Sequence, residues 1–136
     1  ILGRLVGSEM CIRDRLQVIL ILNKAFNTPK SLTLNEDYIA DQNIYSFISE
    51  VDKKIVGTAS LHIVNKINRK VGLIEDVAIL PSHRGKGIGL KLIKHLLSIA
   101  KKRKVYKVIL NSNKKNESFY HKIGFKTEQL QLVKRY

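Results

Sequence analysis

One stretch constrains this chain more than any other: Arg84-Gly85-Lys86-Gly87-Ile88-Gly89. An apolar, strand-like run, Val77-Ala78-Ile79-Leu80, precedes it, and residues 90–102 follow with helical spacing. A basic, glycine-rich loop between strand and helix is a phosphate cradle. Glycine lets the backbone approach an anion, exposed N–H groups point at it, and the helix N-terminus adds a favourable dipole. A glycine-rich turn that holds nothing is the alternative, and the neighbouring motifs decide between the two.

Residues 87–102 form the clearest helix, because Ile88, Leu92, Ile93, Leu96, Leu97 and Ala100 recur on one face. Lys101-Lys102-Arg103-Lys104 suits the negative end of its dipole. Upstream, residues 44–51 and 55–64 read as two strands joined by the turn Asp52-Lys53-Lys54. Residues 66–70 are a basic loop and 71–80 a third strand. Downstream come a strand at 105–110, a short helix at 116–123 ended by Gly124 as a left-handed cap, and a last strand at 125–133. Residues 16–26 read as a helix, although Val18-Ile19-Leu20-Ile21-Leu22 alone suits a buried strand. Thr28-Pro29 breaks it, and residues 34–41 are a polar connector or short helix. The order from residue 44, ββ–β–α–β–α–β, predicts an α+β domain: a mixed sheet with helices packed on it.

With 136 residues the chain is one domain with a real core. Its longest apolar run is far too short to cross a membrane. The charge, +14 in all, is uneven. Residues 16–65 carry four Lys/Arg and five Asp/Glu, whereas residues 66–136 carry eighteen and four. Aromatic residues are not interleaved with the basic ones as a base-stacking surface requires, so a small polyanion explains the field better than nucleic acid. Residues 4–15 read as one frame of a translated sequencing adapter, so residues 1–15 are set aside as non-native and 16–136 are taken as the domain, truncated at its N-terminus. Met10 and Cys11, the only methionine and cysteine, fall in that segment. The remainder offers no disulfide, no cysteine nucleophile and no zinc set, which is compatible with a cytoplasmic protein. His62, His83, His95 and His121 are dispersed without metal-ligand spacing. His83 neighbours the phosphate loop, and the others read as surface or sheet residues.

These residues resemble the GNAT superfamily of acetyl-CoA-dependent N-acetyltransferases. The signature Arg/Gln-x-x-Gly-x-Gly/Ala is met by Arg84, Gly87 and Gly89. Its companion Asn…Phe-Tyr-x-x-x-Gly-Phe is met by Asn116, Phe119, Tyr120, Gly124 and Phe125. The resemblance covers about residues 44–136. It implies the acyl-CoA N-acyltransferase fold, a mostly antiparallel mixed sheet flanked by helices, here with its first strand missing. Ile74-Glu75-Asp76-Val77, Tyr106-Lys107-Val108-Ile109-Leu110, Asn116-Glu117-Ser118-Phe119-Tyr120 and Arg135 look in particular like the glucosamine-6-phosphate N-acetyltransferase branch. One departure stands out: that branch has an aspartate, thought to position the substrate amine, where this chain has Asn111.

The resemblance implies a division of labour. Backbone N–H groups of Arg84, Gly85, Lys86, Gly87, Ile88 and Gly89 would hold the coenzyme A pyrophosphate. The Val77-Ala78-Ile79 backbone would lie along the pantetheine arm, with an N–H near Val77 binding the thioester oxygen. Asn116 would bind the cofactor arm, cap its helix, or do both. Tyr120 would protonate the departing thiolate. Glu75 and Asp76 would meet the ammonium substrate and handle its proton; alternation along a strand lets at most one face the pocket. Asn111 would sit beside the substrate, and Arg135 would pair with a sugar phosphate. The implied partners are acetyl-CoA, a small amine and a second copy of the chain, with no metal, nucleic acid or membrane.

Overall fold

Five strands form one sheet in the computed structural model, which describes residues 2–6, 12–26 and 35–136. They are β1 (Leu2–Val6), β2 (Ile44–Val51), β3 (Lys54–Asn65), β4 (Lys70–Ile79) and β5 (Lys107–Leu110), adjacent in that order. The first four pair antiparallel and β5 lies parallel to β4. The parallel step needs a crossover, which the helix α3 (Ile88–Lys102) supplies. The β2–β3 turn places Asp52 (φ 50°) and Lys53 (φ 64°) in the left-handed region, as a two-residue hairpin loop demands.

Two helices sandwich the sheet. On one face Ile88, Leu92, Ile93, Leu96 and Ala100 of α3 bury themselves against Phe47, Val56, Leu61, Ile63 and Ile74. On the other, Val18 and Ile21 of α1 (Ile12–Phe26) pack on Ile48, Ile55 and Ala78. Their three-residue spacing settles residues 18–22 as helix. A short α2 (Glu36–Ala40) is capped by Asn35, whose side chain accepts the Asp37 N–H at 3.0 Å. Gly57 of β3 makes the α3 face close-packed at a critical place. A Cβ there would lie 2.7 Å from Ile79 Cδ1 and 3.3 Å from Ile88 Cγ2. The end of β4 and the start of α3 therefore meet over Gly57, which fixes the loop between them.

Two expectations need correction. The first strand is present: Leu2–Val6 pairs with β2 over five residues. The free edge of β2 needs main-chain partners, and backbone pairing asks little of side-chain identity. The last strand is absent: residues 125–136 follow α4 (Glu117–Ile123) without joining the sheet. A cavity of about 740 Å³ lies between β5 and residues 124–131, too wide for ladder hydrogen bonds. Gly7 to Cys11 and the Thr28-Pro29 break lie outside the described residues.

Candidate active site

The site begins where β4 and β5 part. Their pairing runs from Val71↔Lys107 to Ile74↔Leu110 and stops, while β4 continues to Ile79. From Glu75 onward the β5-facing edge of β4 is uncovered, and its polar main-chain groups need another partner. The strand is also irregular here. Ser60 pairs with Glu75 and Thr58 with Ala78, so Asp76 and Val77 together oppose Ala59 in a β-bulge. Asp76 takes a left-handed φ of 55°. This breaks the alternation, so the rule that only one of the two carboxylates can face a given side fails at this point.

β4 runs into a 3₁₀ turn at Pro81–His83 and then the glycine loop. Gly85 (φ 76°) and Gly87 (φ 80°) are left-handed, and a Cβ on either would meet nothing within 4 Å. The loop thus presents bare backbone to open space. The first helical bond of α3 runs from Lys91 N–H to Gly87 C=O at 3.1 Å, leaving the N–H groups of Ile88, Gly89 and Leu90 ahead of the ladder. The Arg84 Nε–H donates to the Ile79 carbonyl at 3.1 Å and braces the strand end. Gly89 is different: a Cβ there would make only ordinary contacts, 3.8 Å from Phe119 and 3.9 Å from Ile79. His83, the neighbour of the loop, bonds Ser82.

Tyr120 and Asn111 line the same cavity, between β5, α4 and residues 124–131. Tyr120 packs edge-on against Phe119 and Phe125, and burial pushes its phenol up, which keeps the proton on oxygen. Asn116 begins α4, but its side chain makes no cap. Asn113 instead caps the 3₁₀ turn Lys114–Asn116 that leads into α4, its Oδ1 accepting the Asn116 N–H at 3.1 Å. Asn116 keeps its amide available because Asn113 stands one turn earlier. Gly124 ends α4 as expected, at φ 108°.

Glu75 and Asp76 lie in a polar cluster that the sequence did not announce. Ser46, Ser60 and Glu75 stand opposite one another across β2, β3 and β4, and His62 is next along β3 on the same face. Ser60, 1% exposed, donates to the Glu75 carbonyl at 3.2 Å and contacts His62 Nε2 at 3.2 Å. Tyr38 of α2 tilts over His62, ring centroids 5.8 Å apart, and its hydroxyl bonds Ser46. Burial pushes the Tyr38 phenol up. Desolvation raises both carboxyl groups, Asp76 raises Glu75 further, and His62 pulls both down. Asp76 keeps solvent access, so its shift reflects crowding by protein atoms more than full enclosure. The available signal was the polar alternation Thr58, Ser60, His62 within a β-branched strand. Arg135, by contrast, is exposed near the chain end and contacts neither acid. Among the described residues no cluster of His, Cys, Asp and Glu could hold a metal ion, and no helix is long and apolar enough to cross a membrane.

The Acetyltransferase (GNAT) family profile matches residues 15–125. Among curated proteins, glucosamine 6-phosphate N-acetyltransferase of Trypanosoma brucei brucei is 44% identical over 89 residues, covering 63% of this chain and 60% of that protein. The Arabidopsis thaliana enzyme of the same name is 36% identical over 100 residues, covering 71% and 67%. The chain thus spans about three-fifths of the length of the trypanosome relative. Among solved structures, a Trypanosoma brucei acetyltransferase superposes with a TM-score of 0.82 at 31% identity, covering 99% of both chains. Glucosamine-6-phosphate N-acetyltransferase from Arabidopsis thaliana superposes with a TM-score of 0.83 at 28% identity, covering 100% of this chain and 99% of that one. A parted strand pair, a left-handed glycine loop at a helix start and a half-buried tyrosine thus come together in a member of the GNAT acetyltransferase family.

Proposed function

We propose that the chain transfers acetyl from acetyl-CoA to the amine of glucosamine 6-phosphate by direct attack. The observation that carries this is the uncovered edge of β4 leading into the left-handed loop at Gly85 and Gly87. An extended amide-bearing arm can pair with the first, and a pyrophosphate can sit on the second. Acetyl-CoA supplies both, with an activated acyl carbon.

The residues divide the work. The main chain of Val77, Ala78 and Ile79 and the side chain of Asn116 hold the arm. Val77 sits in the bulge, and its N–H is the main-chain donor that would meet the developing oxyanion. Glu75 and Asp76 accept a proton from the substrate ammonium. The amine nitrogen then bonds the acyl carbon, the C–S bond breaks with its electron pair on sulfur, and the Tyr120 hydroxyl protonates that thiolate. Asn111 meets the substrate as a neutral amide, leaving charge handling to the Glu75–Asp76 pair.

A second copy of the chain belongs to the same reading, in a cytoplasmic setting. Leu130 and Leu132 are 93% and 92% exposed on a segment with no strand partner, and β5 is an edge of the sheet. Pairing between copies would cover both and bring Arg135 to a pocket it does not reach within one chain. The test is thiol release from acetyl-CoA with glucosamine 6-phosphate, glucosamine, a polyamine and an amino acid. Turnover fastest with the phosphosugar supports the proposal; equal rates with glucosamine contradict it. Arg135→Ala should raise the KM for the phosphosugar by about 10-fold, the scale of one charge-assisted contact, and leave glucosamine unaffected.

A further inference from the structure

We propose that Ser60 is a positioning residue: by holding the Glu75 main-chain carbonyl, its buried hydroxyl sets the β4 bulge that aims the Asp76 side chain and the Val77 N–H. The inference rests on the acetyl transfer proposed above and extends it to a residue outside both family motifs.

Ser60 is 1% exposed and stands between Ala59 and Leu61, both fully buried in the core under α3. A hydroxyl buried this deeply costs stability unless it is bonded. Its Oγ donates to the Glu75 carbonyl at 3.2 Å and also lies 3.2 Å from His62 Nε2. A carbonyl can only accept, so the bond to Glu75 is made with the Ser60 proton. That bond falls where regular pairing gives way. Ser60 opposes Glu75 and Thr58 opposes Ala78, which leaves Asp76 and Val77 together across from Ala59. The ladder is disrupted at a bulge, and a side-chain bond beside it holds main chain that the ladder no longer holds.

One peptide plane carries the effect. The Glu75 carbonyl and the Asp76 N–H belong to the same rigid unit, so holding the oxygen fixes both. Asp76 then turns away at φ 55°, a left-handed value that a residue other than glycine keeps only where its surroundings impose it. With the plane fixed, the φ and ψ of Asp76 set where its carboxylate and the Val77 N–H point. A main-chain donor acts on a developing oxyanion only if it is held close to the productive direction. Without the hydroxyl the plane loses this anchor, and so buried a position leaves little room for water to replace it. The glycine loop does not depend on Ser60. Gly85 and Gly87 lie beyond the 3₁₀ turn, and the Arg84 Nε–H ties their approach to the Ile79 carbonyl.

Two measurements test this, one of them independent of turnover. In NMR the HN–Hα coupling of Asp76 reports its φ. Ser60→Ala should change that coupling. Thr58→Val, which removes the neighbouring hydroxyl on the same face of β3, should keep the parent value. A parent-like coupling in Ser60→Ala, or the same change in both variants, overturns the proposal even if the chain proves inactive. In kinetics, Ser60→Ala should lower kcat for glucosamine 6-phosphate on the order of 10-fold, as for a misaimed main-chain donor, with acetyl-CoA affinity by calorimetry unchanged within about twofold. A merely structural loss would weaken binding and turnover together; that result, or an unchanged kcat, contradicts the positioning role. An inactive parent would instead refute the proposed acetyl transfer, and the coupling would still decide whether Ser60 holds the bulge.

Discussion

On the α3 side of β4 the groups suited to acyl-CoA come from one contiguous loop and use mainly backbone, whereas on the α2 side the polar groups come from α2, β2, β3 and β4 and use side chains. The two sides share β4, and its bulge at Asp76–Val77 is where one becomes the other. Backbone recognition leaves a compact trace in sequence, because positive φ and close approach demand glycine at fixed spacing. Side-chain recognition leaves no such trace, because its members meet only through strand register.

The comparison can be broken from either side. Tyr120→Phe should cause the largest loss, about 10³-fold in kcat, with acetyl-CoA affinity unchanged within twofold, since the ring packing against Phe119 and Phe125 survives. Steady-state kinetics with calorimetric binding checks both halves. Gly87→Val comes next. A β-branched residue at φ 80° is strained and puts a side chain where the anion would sit. Affinity for coenzyme A should fall about 100-fold by titration calorimetry, close to 2.7 kcal/mol.

The smallest effect sharpens the contrast through stability. Glu75 and Asp76 have raised pKa values in the folded chain, so the folded state holds their protons more readily than the unfolded state. Their contribution is present at low pH and falls as pH rises through the folded values. Glu75→Gln/Asp76→Asn should therefore melt above the parent at neutral pH, with the gap closing below about pH 4. Glu117 runs the other way. Its bonds to Lys114 and Thr127 hold it below the usual range, so its contribution is present above its unfolded pKa and lost as pH falls. Thermal melts of Glu117→Gln across pH 3–7 should show a deficit that appears only as pH rises, a modest one because surface pairs are worth little.

These differences explain what could be read in the chain. The glycine loop, α3, the Asp52-Lys53 hairpin and the Gly124 cap were legible because each rests on local φ or on 3.6-residue spacing. β1 was not, since an edge strand is recruited by unpaired main chain more than by its own side chains. Residues 125–133 have strand-like composition, yet a strand needs a neighbour, and within one chain the cavity beside β5 denies it one. The 3₁₀ turn capped by Asn113 was hidden because Asn116 three residues on is itself a suitable helix start. Of the candidate site, the glycine loop was legible from its spacing, whereas Glu75 and Asp76 were legible as residues but not in their setting. A bulge cancels the alternation from which the Glu75 and Asp76 directions were read, and the polar cluster around Ser60 forms only through strand register.

The separation of the two sides is tested most directly by one paired measurement on Glu75→Gln/Asp76→Asn: acetyl transfer to glucosamine 6-phosphate alongside calorimetric acetyl-CoA binding. The account predicts a kcat at least about 100-fold below the parent with acetyl-CoA affinity unchanged. Parent-like turnover, or acetyl-CoA binding lost together with turnover, would contradict it.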